Sequence, residues 1–218
     1  MNRFYQFLTL IILVTLFACK DKTPQSDENL AKAASLSGKV YTAVPEASEI
    51  SWEGKKPTGT HKGTIGIKEG SLAVNEGKVT GGSFVMDMKS IVVNDLEGEE
   101  KASLEAHLMG TVEEKALDFF NTNKFPTSKF EITSVTDAAD SNANSLVTGN
   151  LTMLDITKEV KIPAQINVTD TSLLVSTMPF SINRTDWGIN YKSKNIFKEL
   201  GDKFIDDNIT IAIKVSAK

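Results

Sequence analysis

The 218-residue sequence predicts an all-β domain, an antiparallel β-barrel of about eight strands closed on itself with short helical insertions. Two observations carry that prediction. Apolar and polar residues alternate through segment after segment, which puts every second side chain on one face of a strand. Helical periodicity between those segments is scarce, which argues against parallel βαβ units. Long antiparallel sheets protect their edges by closing, so a barrel is preferred; a two-sheet sandwich is the second arrangement the pattern allows.

The strands read in order along the chain. In Glu49–Gly54, Ile50 and Trp52 share a face. In Thr58–Glu69 the set is His61, Gly63, Ile65 and Ile67. In Lys78–Met88 it is Phe84, Met86 and Met88, opposed by Val85 and Asp87. Phe130 and Ile132 pair in Lys129–Thr136, and Val147, Leu151 and Met153 in Leu146–Leu154. Glu159–Thr169 carries Val160, Ile162, Ala164, Ile166 and Val168. Ser172–Arg184 is read as one strand with Leu174, Met178, Phe180 and Ile182 together. The last run sets Ile209, Ile211, Ile213 and Val215 against Thr210, Lys214 and Ser216.

Asn75-Glu76-Gly77 and Leu154–Lys158 have the composition of hairpin connections. Lys101–Asn121 departs from alternation: Leu104, His107 and Leu108, then Leu117, Phe119 and Phe120, follow helical spacing, with a split at Gly110-Thr111. Pro126 ends that insertion. A short helix is expected near Asn195–Leu200, ended by Gly201.

The N-terminus has a different chemistry. Arg3 precedes an apolar run from Phe7 to Ala18, too short for a comfortable membrane span of ~20 residues. It fits the apolar region of a secretory signal. The run ends Leu16-Phe17-Ala18-Cys19, which resembles a bacterial lipobox. Residues 1–18 are therefore expected to be a lipoprotein signal peptide, with Cys19 the lipidated residue. A plain signal peptide or a signal anchor is the alternative. Cys19 is the sole cysteine, so no internal disulfide competes for it. Residues 19–37, polar and without alternation, are expected to be a flexible tether. The domain is then 38–218, long enough to bury a full core.

The formal net charge is −4, and removing the signal takes away only Arg3 and no acid. Mild acidity argues against nucleic acid as a partner and against a polybasic hold on anionic lipid. Neither histidine belongs to an HxH or HExxH pair, so no metal is expected. There is no GxSxG and no P-loop, and no catalytic residue is assigned.

Several segments resemble, in order, the YceI-like family. They are Trp52-Glu53-Gly54, Gly59-Thr60-His61-Lys62-Gly63 and the run from Gly82 to Ile91. His107-Leu108, Asp118-Phe119-Phe120, Phe125-Pro126 and Phe130 follow. Gly149-Asn150-Leu151-Thr152 and Arg184-Thr185-Asp186-Trp187-Gly188 complete the set. The resemblance spans nearly the whole domain and points to a lipoprotein branch. It implies a lipocalin-like barrel with a long apolar cavity, a polyisoprenoid or isoprenoid-tailed quinone as ligand, no catalytic signature, and an exported or periplasmic setting.

Within such a barrel the inward set becomes a list of cavity candidates. These are Trp52, Ile65, Ile67, Phe84, Met86, Met88, Phe130, Ile132, Leu151, Met153, Met178, Phe180, Ile182 and Ile211. The methionines suit a wall that adapts to a floppy chain. His61, His107 and Arg184 fall on apolar faces, where an unpaired polar group is costly. They are the candidates for holding a polar head group, and ordinary hydrogen-bonded core roles are the alternative. The expected function is a membrane-tethered binder of an apolar, isoprenoid-like molecule in the bacterial envelope, facing the periplasm or the cell surface. An enzyme acting on a barrel-held lipid and a filled structural barrel are the alternatives.

Overall fold

The computed structural model describes residues 30–140 and 142–218; the expected signal segment and Cys19 lie outside these residues. The strands are β1 (Lys39–Thr42), β2 (Glu49–Lys56), β3 (Gly59–Asn75), β4 (Lys78–Val93) and β5 (Thr127–Asp140). They continue as β6 (Ala143–Met153), β7 (Ile156–Val168), β8 (Leu173–Thr177), β9 (Phe180–Asn183) and β10 (Asn208–Ala217). One α-helix, α1 (Gly98–Met109), follows β4. The antiparallel circuit β3-β2-β10-β8-β7-β6-β5-β4 returns to β3, so the sheet closes as an eight-stranded barrel and not as a sandwich.

Ten strands make eight staves because two staves are each built in two pieces. β2 and β1 share the position between β3 and β10. β2 pairs with Gly59–Ile65 of β3, and β1 with Ser71–Val74, while Ala43 bridges Ala217 of β10. A 3₁₀ turn at Pro45–Ala47 separates them. β8 and β9 likewise share a position beside β10, at Lys214–Ala217 and Asn208–Ile211.

Met178-Pro179 separates β8 from β9, which corrects the reading of Ser172–Arg184 as one strand. Proline has no N–H and cannot extend the ladder. The break also moves the phase. Leu173, Val175 and Thr177 face inward before it, Phe180 and Ile182 after it. Met178 falls in the break and is 56% exposed, and Leu174 points outward. A similar shift occurs in β3, which runs on to Asn75 through a bulge between Ile67 and Glu69. Inward residues are Ile65 and Ile67 before the bulge and Leu72 after it.

Both expected hairpins form as two-residue turns. Glu76 and Gly77 have φ of 50° and 76°, and Leu154 and Asp155 have 51° and 60°. Paired positive φ values match the right-handed twist of the flanking strands.

Two irregular segments, 94–126 and 184–207, cover one end of the barrel as a lid. Gly110, at φ 68°, ends α1 where the split was expected, and its N–H donates to the His107 carbonyl. The chain beyond it does not resume an α-helix. Glu113–Lys115 is a 3₁₀ turn, and Leu117 is 84% exposed while Phe119 is buried. The helical spacing there belongs to turns. Residues 195–200 are turns as well, and the expected helix is absent. Asn195 is held by its side chain, whose Nδ2 donates to Asp207 Oδ2 at 2.6 Å.

The end of the segment expected to be a flexible tether is pinned to the barrel. The Ala31 carbonyl accepts from Asn150 Nδ2, the Ala34 N–H donates to the Ile132 carbonyl, and the Ser37 carbonyl accepts from Thr80 Oγ1. The reason lies in the sheet. β4 and β5 pair only over Ser83–Asp87 with Thr127–Glu131, and Ala34 to Ser37 lies where the two strands part.

Candidate ligand-binding cavity

The inward faces of the staves enclose a cavity of about 260 Å³ whose wall is almost entirely carbon. That volume stands near the lower end of the ~300–1,000 Å³ typical of small-molecule sites. The lid contributes Leu104, Leu108, Phe119, Phe120, Ile189 and Ile205 to the wall. The opposite end is filled by Tyr41, Val74, Leu173 and Ala217, all buried.

Glycines on neighbouring strands leave space for the large rings. Phe84 pairs with Gly70 and Trp52 with Gly63, and Gly149 lies beside Phe130. A Cβ on Gly70, Gly63 or Gly149 would meet ring atoms at 2.2, 2.6 and 2.4 Å. The rings therefore rest over glycine backbone along the wall, which leaves the bore free. Met86, Met88 and Met153 join them on the wall.

The structure places the sequence-derived cavity candidates as follows. Trp52, Ile65, Ile67, Phe84, Met86, Met88 and Phe130 line the cavity, as do Ile132, Leu151, Met153, Phe180, Ile182 and Ile211. Met178 does not, because of the phase break at Pro179. Among the lining residues the list missed are Leu72, hidden by the bulge in β3, Val175 and Thr177, hidden by the phase break at Pro179, and Lys56, which has the parity of Trp52 and Gly54 but stands beyond the end of the segment read as a strand.

The three polar candidates have separate environments. Arg184 is 3% exposed. Its Nη1 donates to the Ile189 carbonyl at 2.6 Å, its Nε to Asp206 O at 3.0 Å and its Nη2 to Ile205 O at 3.1 Å. Nη2 also reaches Asp207 Oδ1 at 3.4 Å. Burial pulls its pKa down, and Asp207 and Asp206 partly restore it. Arg184 borders the cavity, but its hydrogen bonds fasten 184–189 to 205–207. That is a structural use of these donors.

His107 is not on the cavity wall. Its Nε2 contacts Asp118 Oδ2 at 2.8 Å, and its ring packs edge-on against Phe119 and Tyr191, each 5.0 Å away. It clasps three lid pieces together, while its helix neighbours Leu104 and Leu108 face the cavity.

His61 does border the cavity, near the β2–β3 hairpin. Its Nδ1 contacts Asp95 Oδ2 at 2.9 Å, and the other Asp95 oxygen accepts from the Lys62 N–H at 2.8 Å. These bonds fix the chain at Asp95 to the start of β3. Burial works to raise the Asp95 carboxyl, but the bonds from Lys62 and His61 outweigh it and leave it below its ordinary value.

Searched against curated proteins, the chain has no match. Among solved structures it resembles BcnA of Burkholderia cenocepacia, with a TM-score of 0.59 and 16% identity over 81% of this chain and 99% of that one. It also resembles a polyisoprenoid-binding domain from Saccharophagus degradans implicated in plant cell wall breakdown. There the TM-score is 0.53 and the identity 13%, over 86% of this chain and 99% of that one. At those identities the likeness is one of fold. The model of the YceI-like domain matches residues 41–217, from the buried Tyr41 of β1 to the last residue of β10, and the chain belongs to that family.

Proposed function

We propose that the protein binds an apolar, isoprenoid-like molecule in its barrel and is tethered to a membrane of the bacterial envelope by lipid on Cys19, facing the periplasm or the cell surface. The observation that carries the reading is the closed barrel around an almost purely apolar cavity. Each CH₂ taken from water into such a wall contributes about 0.8 kcal/mol. A prenyl tail therefore needs no polar recognition to bind, and the mechanism is shape and burial. The Saccharophagus degradans relative, a polyisoprenoid-binding domain, supports the same class of ligand.

The test of the cargo is to purify the chain from its native host and identify co-extracted lipid by mass spectrometry. An isoprenoid in stoichiometric amount is expected. Recovery of the protein without lipid, together with failure to take up added prenyl alcohol, overturns the reading. The tether is tested by Cys19→Ala: the variant is expected to leave the membrane fraction, and retention there overturns the anchor.

A further inference from the structure

We infer that the outer face of the lid, around Leu117, Ile196 and Phe197, is a docking surface for a lipid bilayer, with these side chains inserted at the level of the head groups. It is a second contact with the membrane, made by the protein itself and separate from the lipid proposed on Cys19. It rests on the proposed membrane setting and not on the cargo.

The lid holds large apolar side chains in water. Leu117 is 84% exposed, and Ile196 and Phe197 are each 48% exposed. Single apolar side chains scattered over a surface are ordinary, but these gather. Leu117 from the first lid segment and Phe197 and Leu200 from the second line one open groove of about 420 Å³. None of the residues lining that groove belongs to the wall of the barrel cavity.

The fold sets this exposure. Ile196 and Phe197 ride a turn whose base is fastened at both ends. Their N–H groups donate to the Ser193 carbonyl at 3.3 and 2.8 Å, and Ser193 is fully buried. Ser193 bridges Ile205, whose N–H donates to the Lys192 carbonyl at 2.9 Å. Asn195, next to Ile196, is held by Asp207, the buried partner of Arg184. The two apolar side chains are thus presented outward from a fixed base.

The surrounding charges name the partner. Residues 190–204 carry four lysines, Lys192, Lys194, Lys198 and Lys203, and two acids, Glu199 and Asp202. That is a local balance of +2 in a chain of net charge −4. Lys194, Lys198 and Lys203 are exposed, and Lys194 lies over the Phe204 ring at 4.9 Å. Apolar side chains flanked by lysines suit the membrane interface: the carbon enters the acyl boundary while the ammonium groups stay among the phosphates. The first lid segment supplies Leu117 without that charge, since Glu113 and Glu114 precede it and Asp118 is engaged by His107. The hold is therefore apolar first, with anionic lipid favoured on the 190–204 side.

The N-terminal chain meets the barrel at the same end. Ala31 accepts a hydrogen bond from Asn150, the neighbour of Leu151, whose carbonyl accepts from Trp187 of the lid.

The experiment uses Phe197→Trp in the full chain, made with its own N-terminus in a bacterial host. Thr171→Trp, exposed in the β7–β8 turn at the filled end, is the control. The unaltered protein gives the background of Trp52 and Trp187. The probe is a vesicle of phosphatidylethanolamine and phosphatidylglycerol with brominated acyl chains. A blue shift and loss of emission are expected for Phe197→Trp and not for Thr171→Trp. Equal quenching of the two variants overturns the docking surface. A blue shift that grows with protein concentration in the absence of vesicles also overturns it, because the groove then seats a second copy of the chain. A chain that floats with the vesicles while Phe197→Trp stays unquenched overturns the docking surface and leaves the anchor standing. Quenching of Phe197→Trp without flotation leaves the docking surface and overturns the anchor; absence of both overturns both.

Discussion

Gly70 on β3 lies under the ring of Phe84 on β4, so that a Cβ at position 70 would come within 2.2 Å of Phe84 Cδ1. The three nearest atoms to that added methyl all belong to the Phe84 side chain. Gly70→Ala can therefore be accommodated only by swinging the ring away from the wall, toward the bore. The variant is expected to fold, to lose about 1–3 kcal/mol by overpacking, and to bind prenyl ligand more weakly. Denaturant unfolding and farnesol titration check the two effects, and unchanged ligand affinity would show that the ring does not limit the bore.

Arg184 carries its buried charge as a fastener. Removing it strands Asp207, itself buried, and three carbonyl oxygens. Arg184→Leu is expected to destabilise the protein by about 3 kcal/mol, the scale of a broken buried pair. Amide exchange should speed up first in 184–207. A loss below about 1 kcal/mol would contradict the structural role.

The Asp95 carboxyl sits below its ordinary pKa of 3.8. Its deprotonated form is favoured more in the folded than in the unfolded chain. The resulting stability is present above the ordinary carboxylate value and is lost as the pH falls through the depressed one. Asp95→Asn should therefore reduce stability at neutral pH and flatten the acid limb of the stability profile below about pH 4. An acid limb identical to that of the unaltered protein would show that the bonds from His61 and Lys62 carry no linkage.

The pinned segment before β1 can be released with one substitution. Ala34→Pro removes the N–H that donates to the Ile132 carbonyl. Faster amide exchange is expected within 30–37, with the unfolding free energy of the barrel changed by less than about 1 kcal/mol. A large loss of global stability would mean that the segment is part of the barrel's folding unit.

Alternation in the sequence reports the barrel wherever a strand keeps its phase. β4, β7 and β10 show this: Phe84 to Met88, Val160 to Ile166 and Ile209 to Val215 all face inward as read. The reading fails where geometry changes the phase without a strong local signature. The bulge after Ile67 hid Leu72, and Met178 was misassigned because Pro179 was treated as part of a strand. β1 is too short at 4 residues to show a period. The lid is illegible for another reason: its order comes from long-range bonds such as Arg184 to Ile205 and His107 to Asp118, which leave no periodic trace. The parity of His61 was readable, but its partner was not, because Asp95 lies 34 residues away.

The strip from Ala31 to Ser37 also decides at which end of the barrel the preceding chain departs. Lys39 enters the sheet beside Val74, at the end filled by side chains and far from the lid. A chain free up to that point would suspend the domain by its closed end. The strip instead carries the backbone back along the outside to Asn150, close to the lid-side end of β6. From Ala31 to Cys19 the chain can span at most about 40 Å when fully extended. The proposed anchor at Cys19 would therefore hold the barrel by its lidded end, within that span of the bilayer.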